Sequence, residues 1–318
     1  MQDLDEFMCE DSELTDPSVH IVLLNWNGWR DTLECIRSLE QMEYKNWRAI
    51  IVDNGSTDDS VEQLRRIYPN IPIIETGRNL GFAAGNNVGI RYALERRADY
   101  VFVLNNDTTV FEDVLSELVQ FAERHPDAAL MSPKINRRDE YREWPVRRSL
   151  DLLTVLCAFS PLRRFIVRVP ILSKAFYYTG KEPARVCFLP GSALFFRATT
   201  FQIIGLFDEN TFLDFEELII AEKLRAARLC AYFVPQAEIR HKGSASGSKL
   251  RARRYIENAR SENYFFSEYV SLSPASRWLI RLVRFANYSA RALRYKGYRD
   301  HFGEFTSVLL SSGSARVK

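Results

Sequence analysis

Over the first 130 or so residues the apolar positions alternate between two periods. Short, nearly unbroken apolar runs occur at "VHIVLLN" (19–25), "WRAIIVD" (47–53), "IPIIE" (71–75), "YVFVLNN" (100–106) and "AALMS" (128–132). Their length and β-branched content predict strands. Between them the apolar residues recur every three or four positions: Leu33, Ile36 and Leu39; Val61, Leu64 and Tyr68; Ala83, Ile90 and Leu94; Val114, Leu118 and Phe121. That spacing predicts amphipathic helices. Strand starts lie 24 to 29 residues apart, close to one strand–helix–strand unit. Buried strands alternating with such helices predict an α/β fold, a Rossmann-like and mostly parallel sheet with helices on both faces.

In such a sheet ligands collect at the carboxyl ends of the strands, and here those ends are polar. The first strand runs into Asn25-Trp26-Asn27-Gly28, the second into "DNGSTDDS" (53–60). The third leads to "GRNLGFAAGNNVG" (77–89) and the fourth ends in Asn105-Asn106-Asp107. Turn chemistry explains part of this, since Asn, Asp, Gly and Ser favour turns and helix caps. Asp59 with Glu62 matches a capping box for the helix through Val61. Asp53 and Asn54 precede that turn, and four polar ends on one edge predict a site.

The rhythm breaks at residues 133–185, where 12 Lys or Arg face five acids among apolar clusters such as "LLTVLCAF" (152–159). This is too long for an ordinary connection, which marks it as a functional insertion. The sheet resumes at "VCFLPGSALFFR" (186–197), and "AYFVP" (231–235) is a further strand. Ser273-Pro274 is a cap and first-turn pair for a terminal helix. In it Arg277, Arg281, Arg284, Arg291 and Arg294 recur at helical spacing, with Leu279, Leu282, Ala286, Ala290 and Leu293 on another face. Residues 277–299 hold seven Lys or Arg and no acid, the pattern of a basic amphipathic helix lying on an anionic membrane surface. A helix packed on the main domain with a solvated basic rim is the alternative. No RNA or DNA module flanks these residues, so no nucleic-acid partner is expected.

The net charge of +2 conceals a polarity, with seven acids and no base in residues 1–16 and nine bases against two acids in residues 271–318. The acidic start is expected to be a disordered tail. Five cysteines without paired spacing and four scattered histidines exclude a structural zinc motif. No signal peptide and no apolar run near the ~20 residues of a membrane span are visible. A cytoplasmic protein, peripherally held at the inner face of the membrane, is the expected location.

Seven segments in order carry a resemblance: "VLLNWNG", "IIVDNGSTDDS", "NLGFAAGNNVGI", "FVLNNDT", "LPGSALFFR", "IGLFDENTFLDFEE" and "VPQAEIRHKGSAS". Together, over roughly residues 18–265, they resemble the family 2 glycosyltransferases, in particular the bacterial rhamnosyltransferase-like branch. The resemblance implies a GT-A fold over 17–265 with the 133–185 insertion on the acceptor or membrane side, and 266–318 as a helical appendage. It implies a nucleoside-diphosphate sugar donor (dTDP- or UDP-linked, rhamnose first) and inversion at the anomeric carbon. It also implies a lipid-linked saccharide acceptor in bacterial cell-surface polysaccharide assembly. Asn25, Asn27, Asp53, Asn54, Ser56, Asn79, Gly81, Asn86, Asn105 and Asn106 would then form the nucleotide site. Within it, Asp53 can accept the imide N–H of a pyrimidine, and the glycines with the amino end of the next helix would receive the diphosphate.

Asp107 matches the last acid of the family's metal-binding motif, with Asn105 in place of the first, and His241 matches a histidine that completes metal or diphosphate binding. The implied cofactor is a divalent cation, Mg or Mn. Of the acidic cluster, Glu217 matches the general base and Glu216 an acceptor support, with Asp214 a close competitor for the base. A non-catalytic relative that binds nucleotide sugar or lipid and organises other enzymes is the rival reading. A dinucleotide-dependent oxidoreductase is disfavoured, because no GxGxxG follows any strand.

Overall fold

The computed structural model describes residues 16–137, 145, 168–178, 180–243 and 251–311. The acidic tail, apart from Asp16, and most of the 133–185 insertion therefore lie outside the described residues. The first half alternates as β1 (Val19–Asn25), α1 (Trp29–Leu39), β2 (Trp47–Asp53), α2 (Ser60–Ile67), β3 (Ile73–Glu75), α3 (Phe82–Glu95), β4 (Tyr100–Asn105), β5 (Thr108–Val110), α4 (Val114–Arg124) and β6 (Ala128–Arg137). The second half continues α5 (Pro170–Phe176), β7 (Ala184–Val186), β8 (Ala193–Arg197), α6 (Thr200–Ile204), α7 (Glu216–Ala226) and β9 (Cys230–His241). Four helices close it: α8 (Arg251–Glu268), α9 (Pro274–Arg294), α10 (Lys296–Asp300) and α11 (Phe302–Leu310).

One nine-stranded sheet runs β3-β2-β1-β4-β8-β6-β9-β5, with β7 also on β9. It is parallel from β3 to β4 and again between β6 and β9. The mixed part comes from β8, antiparallel to both β4 and β6, and from β5 and β7, antiparallel to β9. Thus "AALMS" is a strand, but β8 separates it from β4. Alternation along the strands splits the core in two. Ile21, Leu23, Phe102 and Leu104 face α1 and α4, while Val22, Val101 and Val103 face α3 and α7. Helices on both faces follow from that alternation.

Two local expectations resolve differently. Ser273 does cap α9, its Oγ accepting the Ser276 N–H at 3.1 Å. Asp59 stands at the N-cap position of α2, but its carboxylate makes no capping bond. Its oxygens accept instead from Trp29 Nε1 and Gln63 Nε2, both at 3.0 Å, so the expected capping box does not form. The charged group gains a tie to α1 that the local motif could not reveal. At the other end of the chain, α8 crosses the expected boundary at 265/266. Its Ala252, Ile256 and Ala259 share a third core with Tyr288 of α9, Tyr298 of α10 and Phe305 of α11.

Helix α3 packs close against the sheet, and its glycines are the reason. A Cβ on Gly89 would stand 2.4 Å from Val22 Cγ1 and 3.0 Å from Val52 Cγ2. Gly89→Ala is therefore expected to cost about 1–3 kcal/mol through overpacking. At Gly297 in α10 a Cβ meets nothing within 4 Å, so Gly297→Ala should instead stabilise by about 0.5–1 kcal/mol. Urea unfolding of the two variants checks the opposite signs.

Candidate active site

The ends of β1 and β2 build the first part of the edge. Their register sets Asn25 beside Asp53 on the last rung of the ladder. Both are buried, and an uncompensated carboxylate there would be costly. Asp53 Oδ1 accepts from Asn25 Nδ2 at 2.9 Å and Ser56 Oγ at 2.6 Å, and Oδ2 accepts the Ser56 N–H at 2.9 Å. Asn27 holds a left-handed backbone, φ 51°, which Asn tolerates. Its Oδ1 accepts the Thr57 N–H at 2.7 Å, and its own N–H donates to Ser56 Oγ at 2.9 Å. Asn25, Asn27, Asp53 and Ser56 are thus one network at one strand edge.

Asn54 and Asn79 do a different job. Asn54 Nδ2 donates to Asn79 Oδ1 at 3.1 Å and the Gly81 carbonyl at 3.0 Å, while its Oδ1 accepts the Leu80 N–H at 2.9 Å. Asn79 Oδ1 also accepts the Gly81 N–H at 2.9 Å, and the Phe82 N–H goes to the Phe212 carbonyl at 2.9 Å. The Gly81 and Phe82 amides at the start of α3 are therefore engaged by the protein. Gly81, at φ 85°, is needed because a Cβ would stand 2.4 Å from the Phe212 carbonyl oxygen. Asn86 is buried and donates to the Phe82 carbonyl at 2.9 Å within α3. Asn54, Asn79 and Asn86 shape the loop through hydrogen bonds within it, and the Phe82 N–H and Asn87 dock it on the 207–217 segment.

On the other side of β1, Asn106 Nδ2 donates to Thr32 Oγ1 at 2.9 Å, and Thr32 Oγ1 in turn donates to Asn25 Oδ1 at 2.9 Å. The pairing of β5 with β9 sets Thr108 opposite His241. Asp107 and His241 consequently meet, with Oδ1 and Nε2 3.0 Å apart, both side chains about a tenth exposed. Lys242 fixes the strand end from behind, its Nζ 2.8 Å from Asp31 and 2.6 Å from Glu34 of α1. Those two carboxylates outweigh the effect of partial burial and raise the Lys242 pKa.

Asn105 connects this edge to the acidic segment. Its N–H donates to the Ser192 carbonyl at 3.0 Å, just before β8. The neighbouring Gly191 lies against Glu217, where a Cβ would be 2.0 Å from Oε1. Glu217 also borders a small apolar recess lined by Leu130, Leu189, Leu194 and Ile220. Glu216, next along, is buried, and its Oε2 has no hydrogen-bond partner among the described residues. Burial first, then the charges of Glu217 and Asp214, push its pKa well above the ordinary carboxyl value.

The backbone that aims these carboxylates is strained. Asp214 and Phe215 are both left-handed, at φ 63° and 74°, a conformation costing about 1–3 kcal/mol each for such residues. Helix α8 holds it in place. Arg254 and Asn258 each reach the Asp214 carboxylate at 3.2 Å, Ser261 Oγ donates to the Leu213 carbonyl at 3.1 Å, and Phe215 packs on Phe265. Tyr264 and Tyr269 donate to Asp208 at 2.8 and 2.5 Å. Burial works against the Asp208 charge, but bonds from Tyr269, the Asn210 N–H and Tyr264 keep its pKa below the usual range.

Residues 18–197, more than half of the chain, match the model of glycosyl transferase family 2. The chain belongs to glycosyl transferase family 2. Among characterised relatives, an N-acetylglucosaminyl-diphospho-decaprenol L-rhamnosyltransferase of Mycobacterium tuberculosis is 28% identical over 229 residues, 69% of this chain and 74% of that protein. The dTDP-rhamnosyl transferase RfbF of Shigella flexneri is 20% identical over 224 residues, 70% of this chain and 69% of that one. The fold is similar to that of GalNAc-T7, solved with UDP, GalNAc and Mn2+ (TM-score 0.58, 15% identity, 80% of this chain and 49% of that one). It is also similar to residues 1–349 of S. aureus TarS (TM-score 0.51, 14% identity, 86% of this chain and 72% of that one).

For a family 2 glycosyltransferase, the structure gathers most of the residues expected from sequence along one edge. Asn25, Asn27, Asp53, Ser56 and Asn106 join one network, Asp107 and His241 make a pair, and Glu217 lies across the Gly191-Ser192 loop from Asn105. Sequence reading missed Thr32, which bridges Asn25 and Asn106, and the α8 residues that hold Asp214. Thr32 sits one helical turn into α1 and carries no motif. Arg254 and Asn258 are 40 and 44 residues beyond their partner, too far for any local pattern to signal.

The state of Glu216 gives a pH test. A carboxyl whose folded pKa is raised stabilises the fold fully below its unfolded pKa, and that contribution is lost as pH rises through the folded value. Glu216→Gln, which keeps the shape and removes the ionisation, should melt like the parent near pH 5 and higher than the parent by about pH 9. Parallel melting curves at every pH would show that Glu216 is not held protonated.

Proposed function

We propose that this family 2 glycosyltransferase moves one sugar, with inversion, from a dTDP- or UDP-linked donor to a lipid-linked saccharide in bacterial cell-surface polysaccharide assembly. Rhamnose is the first candidate, because both characterised relatives above are named as rhamnosyltransferases and one of them as acting on a diphospho-decaprenol acceptor. The observation that carries the reading is the Gly191-Ser192 loop. One of its residues, Gly191, lies against the Glu217 carboxylate, and the next, Ser192, accepts the Asn105 N–H two residues before Asp107.

In this arrangement Asp53, with Asn25 and Ser56 fixing its orientation, accepts the base imide N–H at the end of β2. Glu217 takes the proton of the acceptor hydroxyl as it attacks the anomeric carbon from the face opposite the departing diphosphate, a direct displacement that inverts configuration. Glu216, buried beside it, has its own pKa raised by burial and by the charges of Glu217 and Asp214. Asp107 and His241 suit a divalent cation: one carboxylate in the β4–β5 turn and one imidazole at the end of β9 are sufficient where diphosphate oxygens and water complete the shell. Among the described residues no cluster of three His, Cys, Asp or Glu side chains forms, so substrate oxygens would supply the remainder. A bound Mg or Mn would offset the charge developing on the leaving diphosphate. The reaction would take place at the inner face of the membrane, where a lipid-linked acceptor resides; no described helix is long and apolar enough to cross it.

Asn105, which stands where the family motif has its first acid, favours a second reading, a nucleotide-sugar-binding scaffold without turnover. The two readings separate by mutation. Glu217→Gln should bind donor normally yet lose about 100-fold or more in rate, as a lost general base does. Asp107→Ala and EDTA treatment should each abolish turnover, and Asp53→Ala should weaken nucleotide binding by calorimetry while leaving the melting temperature within a few degrees. Full activity after EDTA would exclude the cation. Full activity of Glu217→Gln alongside a dead Asp214→Asn or Glu216→Gln would move the base to that neighbour.

A further inference from the structure

Helix α9 packs on the protein through one side, with Arg284 at the centre of the contact. Arg284 makes a two-pronged bond to Glu262 of α8 at 2.8 and 2.7 Å, both side chains largely buried. Arg277 donates to the Phe266 carbonyl at 3.1 Å, Arg281 to the Ser311 carbonyl at 3.0 Å and Arg291 to the Tyr298 hydroxyl at 3.2 Å. Ile280, Tyr288 and Ala292 are buried on the same side. The helix thus packs on the protein, as the alternative reading expected, with Arg284 buried in the contact and Arg277, Arg291 and Arg294 still exposed.

The apolar side faces out. Trp278, Leu279, Leu282, Phe285 and Leu293 are 55, 45, 62, 43 and 83% exposed. At 100° per residue they fall, with alanines between them, in one arc of about 120° along four turns. An apolar stripe of this extent on an otherwise polar surface marks an interaction site.

We propose that this stripe is the surface by which the protein inserts into an anionic bilayer leaflet, α9 lying in the plane of the headgroups. The proposal rests on the reading of a lipid-linked acceptor and names the surface that would meet its membrane. Charge selects the occupant. Arg294 and Lys296 stand at the carboxyl end of the stripe and form no ion pair among the described residues, and no acid occurs from 277 to 299. Parallel pairing of two copies of this stripe would bring those cations together, whereas lipid phosphates complement them in any arrangement. Trp278 and Tyr295, both exposed, bracket the stripe with rings that favour the headgroup level. The same α8 that anchors α9 through Glu262 also grips Asp214 and Asp208. Insertion of α9 would therefore hold the acidic segment at a set height above the leaflet, where a lipid-borne hydroxyl could reach Glu217.

The test is flotation of the full chain with vesicles of phosphatidylcholine alone and of phosphatidylcholine with phosphatidylglycerol. The parent should float with the anionic vesicles and lose binding in high salt. The triple variant Trp278→Ser, Leu282→Ser, Phe285→Ser should bind at least ~10-fold more weakly with an unchanged melting temperature, while Ile203→Ser, an equally exposed apolar residue off the stripe, should bind like the parent. If the parent binds and the triple variant binds equally, the stripe is not the surface, although the membrane reading survives. If the parent floats with neither vesicle, the membrane reading itself fails. A parent that does not float and is dimeric by sedimentation, with the triple variant monomeric, would make the stripe a self-association surface and overturn the proposal.

Discussion

One backbone hydrogen bond, from the Asn105 N–H to the Ser192 carbonyl, joins the two halves of the candidate site. It exists because β8 enters the sheet antiparallel to β4, so the loop leading into β8 lies beside the end of β4 instead of at the far edge. Gly191 in that loop has no side chain, and the Glu217 carboxylate occupies the space a Cβ would take. A purely parallel sheet would send the equivalent loop to the opposite edge. The reversal of one strand is what sets the loop that touches the Glu217 carboxylate beside the carboxyl end of β4.

The rest of the edge is an exercise in satisfying buried polar groups. Asp53 accepts three bonds, Asn54 makes three to the 79–81 loop, and Thr32 passes a bond between Asn25 and Asn106. Each such group left unpaired would cost about 1–3 kcal/mol, so the network also keeps the edge rigid. Two groups stand outside this economy: Glu216, with an oxygen unpaired among the described residues, and the left-handed pair Asp214-Phe215. Both adjoin the proposed base, and α8 holds the backbone there against its strain.

Much of this was legible in the sequence where the determinants are local. β1 and β2 run over the residues that the apolar runs predict, and the polar strand ends do share one edge. What was not legible depends on distant pairing. Nothing near "AALMS" announces that β8 will insert between it and β4, and nothing near Asp59 announces that Trp29 will claim its carboxylate. The asparagines of 79–87 illustrate the limit of motif reading. Their pattern is that of a ligand loop, and it did not announce that Gly81 would admit the Phe212 carbonyl or that Asn54 and Asn79 would close the loop on itself. Helix α9 was legible as amphipathic, but which side faces out was decided by Glu262 on α8 and its bond to Arg284.

The central claim is that the edge joined by the Asn105–Ser192 bond transfers a sugar and does not merely bind one. The most direct measurement is incubation of the protein with a panel of dTDP- and UDP-linked sugars, a divalent cation and a diphospho-polyprenyl saccharide, scoring nucleoside diphosphate release and the anomeric configuration of the product. The account predicts release with one donor above the rest and a product of inverted configuration. Tight donor binding with no release under any combination, or a product of retained configuration, would contradict it.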